Sequence, residues 1–304
     1  MKLEELPHAE LSRRLRENTL LLDIHPFVAR IQTDVATLVA DIARLYGEFE
    51  VQSADGFADF HVAITAERGL AGGFKPRARF HHDGKPAFLP LPRQHALPML
   101  EWGLNWCVAA HAHQYLIIHA AVLERGGRAL LLPAPPGSGK STLAAGLTQR
   151  GWRLLSDELA LYDMGTGQLS GMARPVNLKN RSIDLIRAFA PRAVMSRPVP
   201  DTAKGTVALL GPPQDSVARR REPACPAWVV LPRYRANQPA VLRPAERATT
   251  LLRMAEQSFN YDLHGSRGFD AMVDLVGRCR CLHFEYGSLA EAAALFERLA
   301  ETDA

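Results

Sequence analysis

What this sequence has little of narrows the reading first. It holds four cysteines, Cys107, Cys225, Cys279 and Cys281, and none is spaced as C-x-x-C or with histidines in the way a zinc site requires. No window approaches the roughly 18 uncharged apolar residues of a membrane-spanning helix. The opening segment "MKLEELPHAELSRRLREN" is charged and lacks the apolar centre of a signal peptide, so a cytoplasmic protein with no membrane partner is expected. A concentrated basic face is missing too. A net charge of +4 on 304 residues permits an anionic ligand but does not argue for nucleic acid. The one tight basic run, "ARRRE" at 218–222, reads as a solvated loop, with Arg219, Arg220 and Arg221 left to water. Internal repeats and low-complexity tracts are absent.

What is present reads as globular. Hydrophobic residues make up 47% and charged ones 22%, enough apolar material for one large or two modest cores. From 34 to 46, Val35, Leu38, Val39, Ile42, Leu45 and Tyr46 recur at helical spacing, with Asp34 placed to cap the start and Gly47 the end. "FHVAIT" (60–65) alternates like a half-buried strand, and Asp83-Gly84 marks a hairpin within 77–91. A helix through Leu97, Leu100, Leu104 and Val108 closes a first α+β domain, 1–113. Its "HAH" and "HH" histidines read as surface and hairpin residues, and all four tryptophans as core.

From 114 the texture changes. "YLIIHAAVLE" and "RALLLP" are apolar strands joined at Gly126-Gly127. A helix at 141–150, a strand at 152–156, and a Pro-, Gly- and Arg-rich excursion or lid over 191–226 follow. Further on come a strand at 227–231, helices near 244–258 and 267–277, a strand at 280–286, and a last helix whose Ser288 and Glu291 spell a capping box. "NYDLHG" (260–265) reads as a loop.

The hairpin leads into "LLLPAPPGSGKSTLAAGLTQRGWRLLSDELALYD" (130–163). Glycines let a backbone curl until several N–H groups converge on one phosphate; a lysine then neutralises the outer phosphates and a hydroxyl ligates magnesium. Ala134 stands where such loops usually begin with glycine, and Pro135 and Pro136 carry no N–H. The cradle therefore falls to Gly137, Ser138, Gly139, Lys140 and Ser141, with Thr142 next in line. An apolar strand before the loop and a helix after it fit a nucleotide site. Asp157 and Glu158 end the run "WRLLSDE" one helix and one turn later. That spacing allows strand 152–156 to be the immediate parallel neighbour of the strand that feeds the loop, with its carboxylates at the phosphates. His119, in "LIIHAAV", is by itself read as a core histidine.

Together these residues resemble the C-terminal catalytic domain of HPr serine kinase/phosphorylase. That family has a histidine in a strand before the hairpin, a phosphate loop, and an acidic pair after "RG-x-R-L", which "QRGWRLLSDE" (149–158) matches. The resemblance covers 115–190 clearly and 191–286 loosely. It implies an α/β fold: a P-loop kinase core of the HPr kinase/PEP carboxykinase type, here over 114–304, preceded by the α+β domain. It further implies Asp157 as base or acid at the phosphoryl acceptor, with His119 as its orienting partner. Ser141 and Glu158 would serve magnesium, Glu158 standing where the family usually has Asp. The family's Glu-x-Arg-Gly-type signature is missing. "RPVNLK", "DTAKGTVALLGPP" and "WVVLPRY" are instead similar to the HprK-related kinase A group.

The expectation is therefore an ATP- and Mg2+-dependent kinase acting on a hydroxyl of a protein, peptide or metabolite. Arg174, Lys179 and Lys204 are candidates to reach the transferring phosphate or the acceptor. A homo-oligomer is inherited from the resemblance. A nucleotide-dependent switch or chaperone-like binding protein without phosphotransfer is the alternative. A plain ATPase using Glu158 on water fits the short spacing less well.

Overall fold

The computed structural model describes residues 1–67, 76–135 and 137–302. The chain is mixed α/β. Its first third lays α1 (His8–Arg16), α2 (Ala36–Leu45) and α3 (Ala96–His111) around one sheet. The strands are β1 (Leu20–Asp23), β2 (Val28–Thr33), β3 (Val51–Gln52), β4 (Phe60–Ala66), β5 (Arg77–His82), β6 (Lys85–Pro86) and β7 (Leu91–Pro92). Their order is β3-β1-β2-β4-β5-β6, with β7 added to β5. In β4 the alternation puts Phe60, Val62 and Ile64 inside and His61 outside. Asp83 and Gly84 both take positive φ, 49° and 74°, as a tight two-residue hairpin demands. Asp34 does not cap α2. Its carboxylate accepts the Ala66 N–H at 2.7 Å, and Val35 holds the cap position instead.

The remainder runs β8 (Tyr115–Ile118), β9 (Ala120–Arg125), β10 (Arg128–Pro133), α4 (Lys140–Thr148), β11 (Arg153–Ser156), β12 (Ala160–Asp163), β13 (Gln168–Ser170), β14 (Val176–Lys179), α5 (Arg181–Phe189). It continues with β15 (Val199–Thr202), β16 (Gly205–Leu210), α6 (Gln214–Ala218), β17 (Cys225–Tyr234), β18 (Val241–Pro244), α7 (Arg247–Glu256), α8 (Ser266–Arg278), β19 (Arg280–Tyr286), α9 (Leu289–Thr302). The central sheet has the order β11-β9-β10-β17-β19-β18. β10, β17 and β19 are parallel and buried on both faces. Leu130 and Leu132 pack towards α4 and α9, and Ala129 and Leu131 towards α7 and α8. Burial on both faces is why "ALLL" is an unbroken apolar run.

Several expectations are corrected here. β11 is not the immediate neighbour of β10: β9 lies between them, antiparallel to both. β10 and β11 still run in the same direction, so the loop and the acidic pair emerge at the same edge. The stretch 115–124 is two strands rather than one. β8 pairs with β12 in a separate sheet while β9 joins the central one, and His119 occupies the break. Residues 191–226 are no loose excursion: β15 and β16 form a hairpin that pairs with β14, and α6 follows. Only half of the capping box at α9 forms. Ser288 Oγ accepts the Glu291 N–H at 3.4 Å, while the Glu291 carboxylate turns to the Ala240 N–H. Trp152 and Trp228 are core, each 1% exposed, but Trp102 and Trp106 are not. Among the described residues, no helix is long and apolar enough to cross a membrane.

The two parts share a seam. One apolar cluster joins α2, α3 and the first sheet to Ile117, Leu159, Leu161, Met172, Leu209 and Val217 of the second part. An ion cluster binds the same seam, with Arg220 and Asp23 buried at its centre. Arg220 reaches Asp23 at 3.0 Å and Glu50 at 2.5 Å, and Arg221 reaches Asp23 at 2.6 Å. "ARRRE" is thus largely a clamp and not a solvated loop. Arg174 donates to Glu101 at 3.2 Å and to Asn105, and the Tyr46 hydroxyl bonds Glu101 from behind.

Candidate functional site

The site begins where β10 ends. Gly137 and Gly139 adopt φ of 88° and 92°, a left-handed conformation that other L-residues resist. At Gly139 a Cβ would also run into the Tyr286 hydroxyl. The Tyr234 N–H donates to Ser138 O and the Tyr286 hydroxyl to Gly139 O, both at 3.0 Å. A trans peptide points its N–H opposite to its C=O, so holding these carbonyls on the tyrosine side turns the N–H groups of Gly139 and Lys140 the other way. They join the unpaired first-turn N–H groups of α4, which has no side-chain cap. A helix start with its donors free in this way is suited to an anion.

Lys140 is buried, 6% exposed, and its ammonium has no hydrogen-bond partner among the described residues. Burial holds its pKa below the usual lysine value. Glu158 and Asp157 oppose that shift, and Lys179 and Lys204 add to it. An ammonium in such surroundings gains from any anion that reaches it.

The acidic pair lies in the turn after β11. Asp157 Oδ2 accepts the Asn177 N–H at 3.0 Å, while Oδ1, with Ser141 nearby, makes no well-formed hydrogen bond. Burial raises the Asp157 pKa, reinforced by the Glu158 charge and countered by Lys140. Glu158 goes the other way: burial would raise it, but the His119 hydrogen bond and the charge of Lys140 outweigh that and hold it low. His119 therefore orients Glu158, at 2.8 Å, and not Asp157. Its own place is fixed by its backbone N–H, which donates to Gln257 O at 2.7 Å.

All these parts but one meet in a cavity of about 1360 Å3, whose walls include the loop from Gly137 to Thr142, His119, Glu158, Asn177, Lys179 and Lys204. Asp157 lies just behind, lining a small recess with Glu158, Asn177 and Arg174. Arg174 does not reach the cavity; its guanidinium is spent on α3. Lys204 arrives on the turn between β15 and β16, with its Nζ 4.9 Å above the Trp102 ring. Loop N–H groups and an unpaired ammonium suit a polyphosphate, and Ser141 with two carboxylates makes an oxygen donor set that a hard divalent cation accepts.

Sequence reasoning missed three contributors. Asn177 looks like any polar strand residue. Asn260 is 1% exposed and clamps β8 by accepting the Ile117 N–H at 2.9 Å and donating to Tyr115 O at 2.8 Å. Phe259, from the same "NYDLHG" neighbourhood, stands 6.0 Å from the His119 ring. Nothing local in the chain marks Asn260, because the strand it clamps lies more than 140 residues earlier. α3 also supplies a wall of Trp102, Trp106, Ala109 and Ala110.

No family model matches the chain, and no curated protein matches it. Among solved structures it is similar to the HPr(Ser) kinase/phosphatase from Coxiella burnetii, at 12% identity and a TM-score of 0.28, over 61% of this chain and 98% of that one.

Proposed function

We propose that the protein is an ATP- and Mg2+-dependent phosphotransferase of the HPr-kinase-related type, moving the γ-phosphate to a hydroxyl acceptor. One observation carries this reading. A buried lysine with no hydrogen-bond partner among the described residues and free helix-start N–H groups share a cavity with Glu158, and Asp157 lies just behind, the two carboxylates having pKa values driven apart. A pure nucleotide binder needs the first half of that arrangement and not the second.

In this reading the loop N–H groups and Lys140 hold the β- and γ-phosphate oxygens, and Ser141 and one carboxylate hold the metal. Bound magnesium would supply charge neutralisation at the transferring group. Among the described residues no cluster of three or more His, Cys, Asp or Glu is placed to hold a metal alone. The remaining ligands would come from phosphate and water, as is usual for magnesium. Asp157, poised to gain and lose a proton near neutrality, accepts the acceptor's proton, and Lys179 and Lys204 face the developing charge.

A second assignment has its own support: Glu158, not Asp157, faces the cavity and is oriented by His119. Asp157, beside Ser141, would then be the metal carboxylate.

The test follows γ-labelled ATP with magnesium in a lysate, separating macromolecules from small molecules, with Lys140→Ala and Asp157→Asn beside wild type. Label entering either fraction only with wild type, while Asp157→Asn still binds nucleotide, supports a kinase. Label found only as free phosphate or left in ATP moves the nucleotide-switch reading to first place.

A further inference from the structure

We propose that the face of α3 across the cavity is the acceptor subsite, and that the acceptor carries its hydroxyl on or beside an aromatic or branched apolar group. This rests on the phosphotransferase reading above.

The cavity's walls include Tyr234 and Tyr286 as well as the α3 face, and the loop tells them apart. Tyr234 and Tyr286 hold the loop's carbonyls from the side opposite its N–H groups, so they mark the back of the loop. The α3 face lies at the other end, past the acidic pair. Asn105 shares the small recess with Asp157 and Glu158, and the Lys204 ammonium spans from the phosphate side to the Trp102 ring. An in-line nucleophile comes from the side away from the leaving phosphate, which puts it against this wall.

The chemistry of the wall selects its occupant. Positions 102, 106, 109 and 110 fall on one face of the helix, and none carries a charge. The two alanines leave room beside the indole of Trp106. That indole is 38% exposed, yet it is held in place: His82, Phe88 and His111 pack against it with ring centroids 5.5, 5.4 and 5.7 Å away. A rigid, exposed aromatic plane in a cavity favours a flat or branched apolar partner and gains nothing from a small polyol. In the transfer, the acceptor's O–H gives its proton to the carboxylate and its oxygen bonds to the γ-phosphorus. The bond from that phosphorus to the bridging oxygen breaks, and ADP leaves.

The test uses the full chain with magnesium and a non-hydrolysable ATP analogue, and reads probe binding by saturation-transfer NMR. Two probe pairs are compared: benzyl alcohol with glycerol, and N-acetyl-seryl-phenylalaninamide with N-acetyl-seryl-glycinamide. The aromatic member is expected to bind ~5-fold or more tightly in at least one pair. A preference confined to the dipeptides supports a polypeptide source, and one confined to the alcohols a small-molecule source. Trp106→Ala removes the preference and Trp106→Phe keeps most of it, with affinity for the ATP analogue unchanged in both. Equal binding within both pairs overturns the proposal. So does a Trp106→Ala protein that loses the ATP analogue as well, because the wall would then hold the base. If wild type binds no ATP analogue, the phosphotransferase reading itself has failed.

Discussion

Asp157 is buried behind the cavity beside a second carboxylate. Its raised pKa means that the folded chain binds this proton more tightly than the unfolded chain does. The resulting stability is fully present below the ordinary value of 3.8 and is lost as pH rises through about 6. Above that, the buried charge costs stability. Asp157→Asn, whose side-chain oxygen can still accept the Asn177 N–H, should therefore stabilise the protein at pH 7 by ~1–3 kcal/mol while abolishing transfer. Thermal melts at pH 7 and pH 4 test this: the gain must shrink at the lower pH. Glu158, held low, contributes stability above its ordinary 4.5 that fades as pH falls through about 2, so it does not alter the comparison. The same two residues separate the two base assignments. With Asp157 as base, kcat/KM climbs about ten-fold per pH unit up to about 6 and then levels. With Glu158 as base, Asp157 would hold the metal, and the same rise moves to lower pH as magnesium is increased, because metal and proton compete for one carboxylate. At this scale the loop was legible in the sequence, because Gly137, Gly139, Lys140 and Ser141 are neighbours whose geometry is local. Asn177 and Trp106 were not. Strand register and the packing of a distant helix put them at the cavity, and nothing near them in the chain encodes that.

The strand–loop–helix element depends on one contact. Gly139 combines a φ of 92° with the Tyr286 hydroxyl pressed against the place a Cβ would fill. Gly139→Ala should cost ~1–3 kcal/mol in urea melts and weaken nucleotide binding. Adding Tyr286→Phe should restore the part due to crowding but not the part due to φ. Recovery in full would show that φ matters little here. Elements with a strong local signature were readable: the unbroken apolar run of β10, the alternation in β4, the Asp83-Gly84 turn. Pairing was not. The insertion of β9 between β10 and β11 is a matter of which edges meet. The break at His119 is silent because both flanking runs are apolar and only their partner strands differ.

On the scale of the whole molecule, Arg220 and Arg221 join the two parts. Asp23 is 4% exposed, and its carboxyl is held below the ordinary value. Burial would raise it, but hydrogen bonds from Arg220 and Arg221 prevail. That contribution is present above 3.8 and is lost as pH falls below it. Arg220→Ala leaves Asp23 buried with only Arg221 and the His25 N–H, and should cost about 3 kcal/mol in urea unfolding. Nucleotide affinity of the molecules that stay folded should not change. A loss of affinity without a loss of stability would show that the clamp tunes the cavity instead. The basic run was misread because charge alone does not say whether a partner waits on another part of the chain.

The apolar cluster that crosses the seam has a consequence for descent. A second part cut free at about residue 112 would leave Ile117, Leu159, Leu161, Met172, Leu209 and Val217 facing water. Recombination that separated the halves would yield sticky fragments rather than working ones. The front sheet, with the α3 wall it supports, must therefore be inherited together with the phosphate loop and cannot be exchanged like a fitting. If the phosphotransferase reading holds, a change of acceptor would come by substitution along α3.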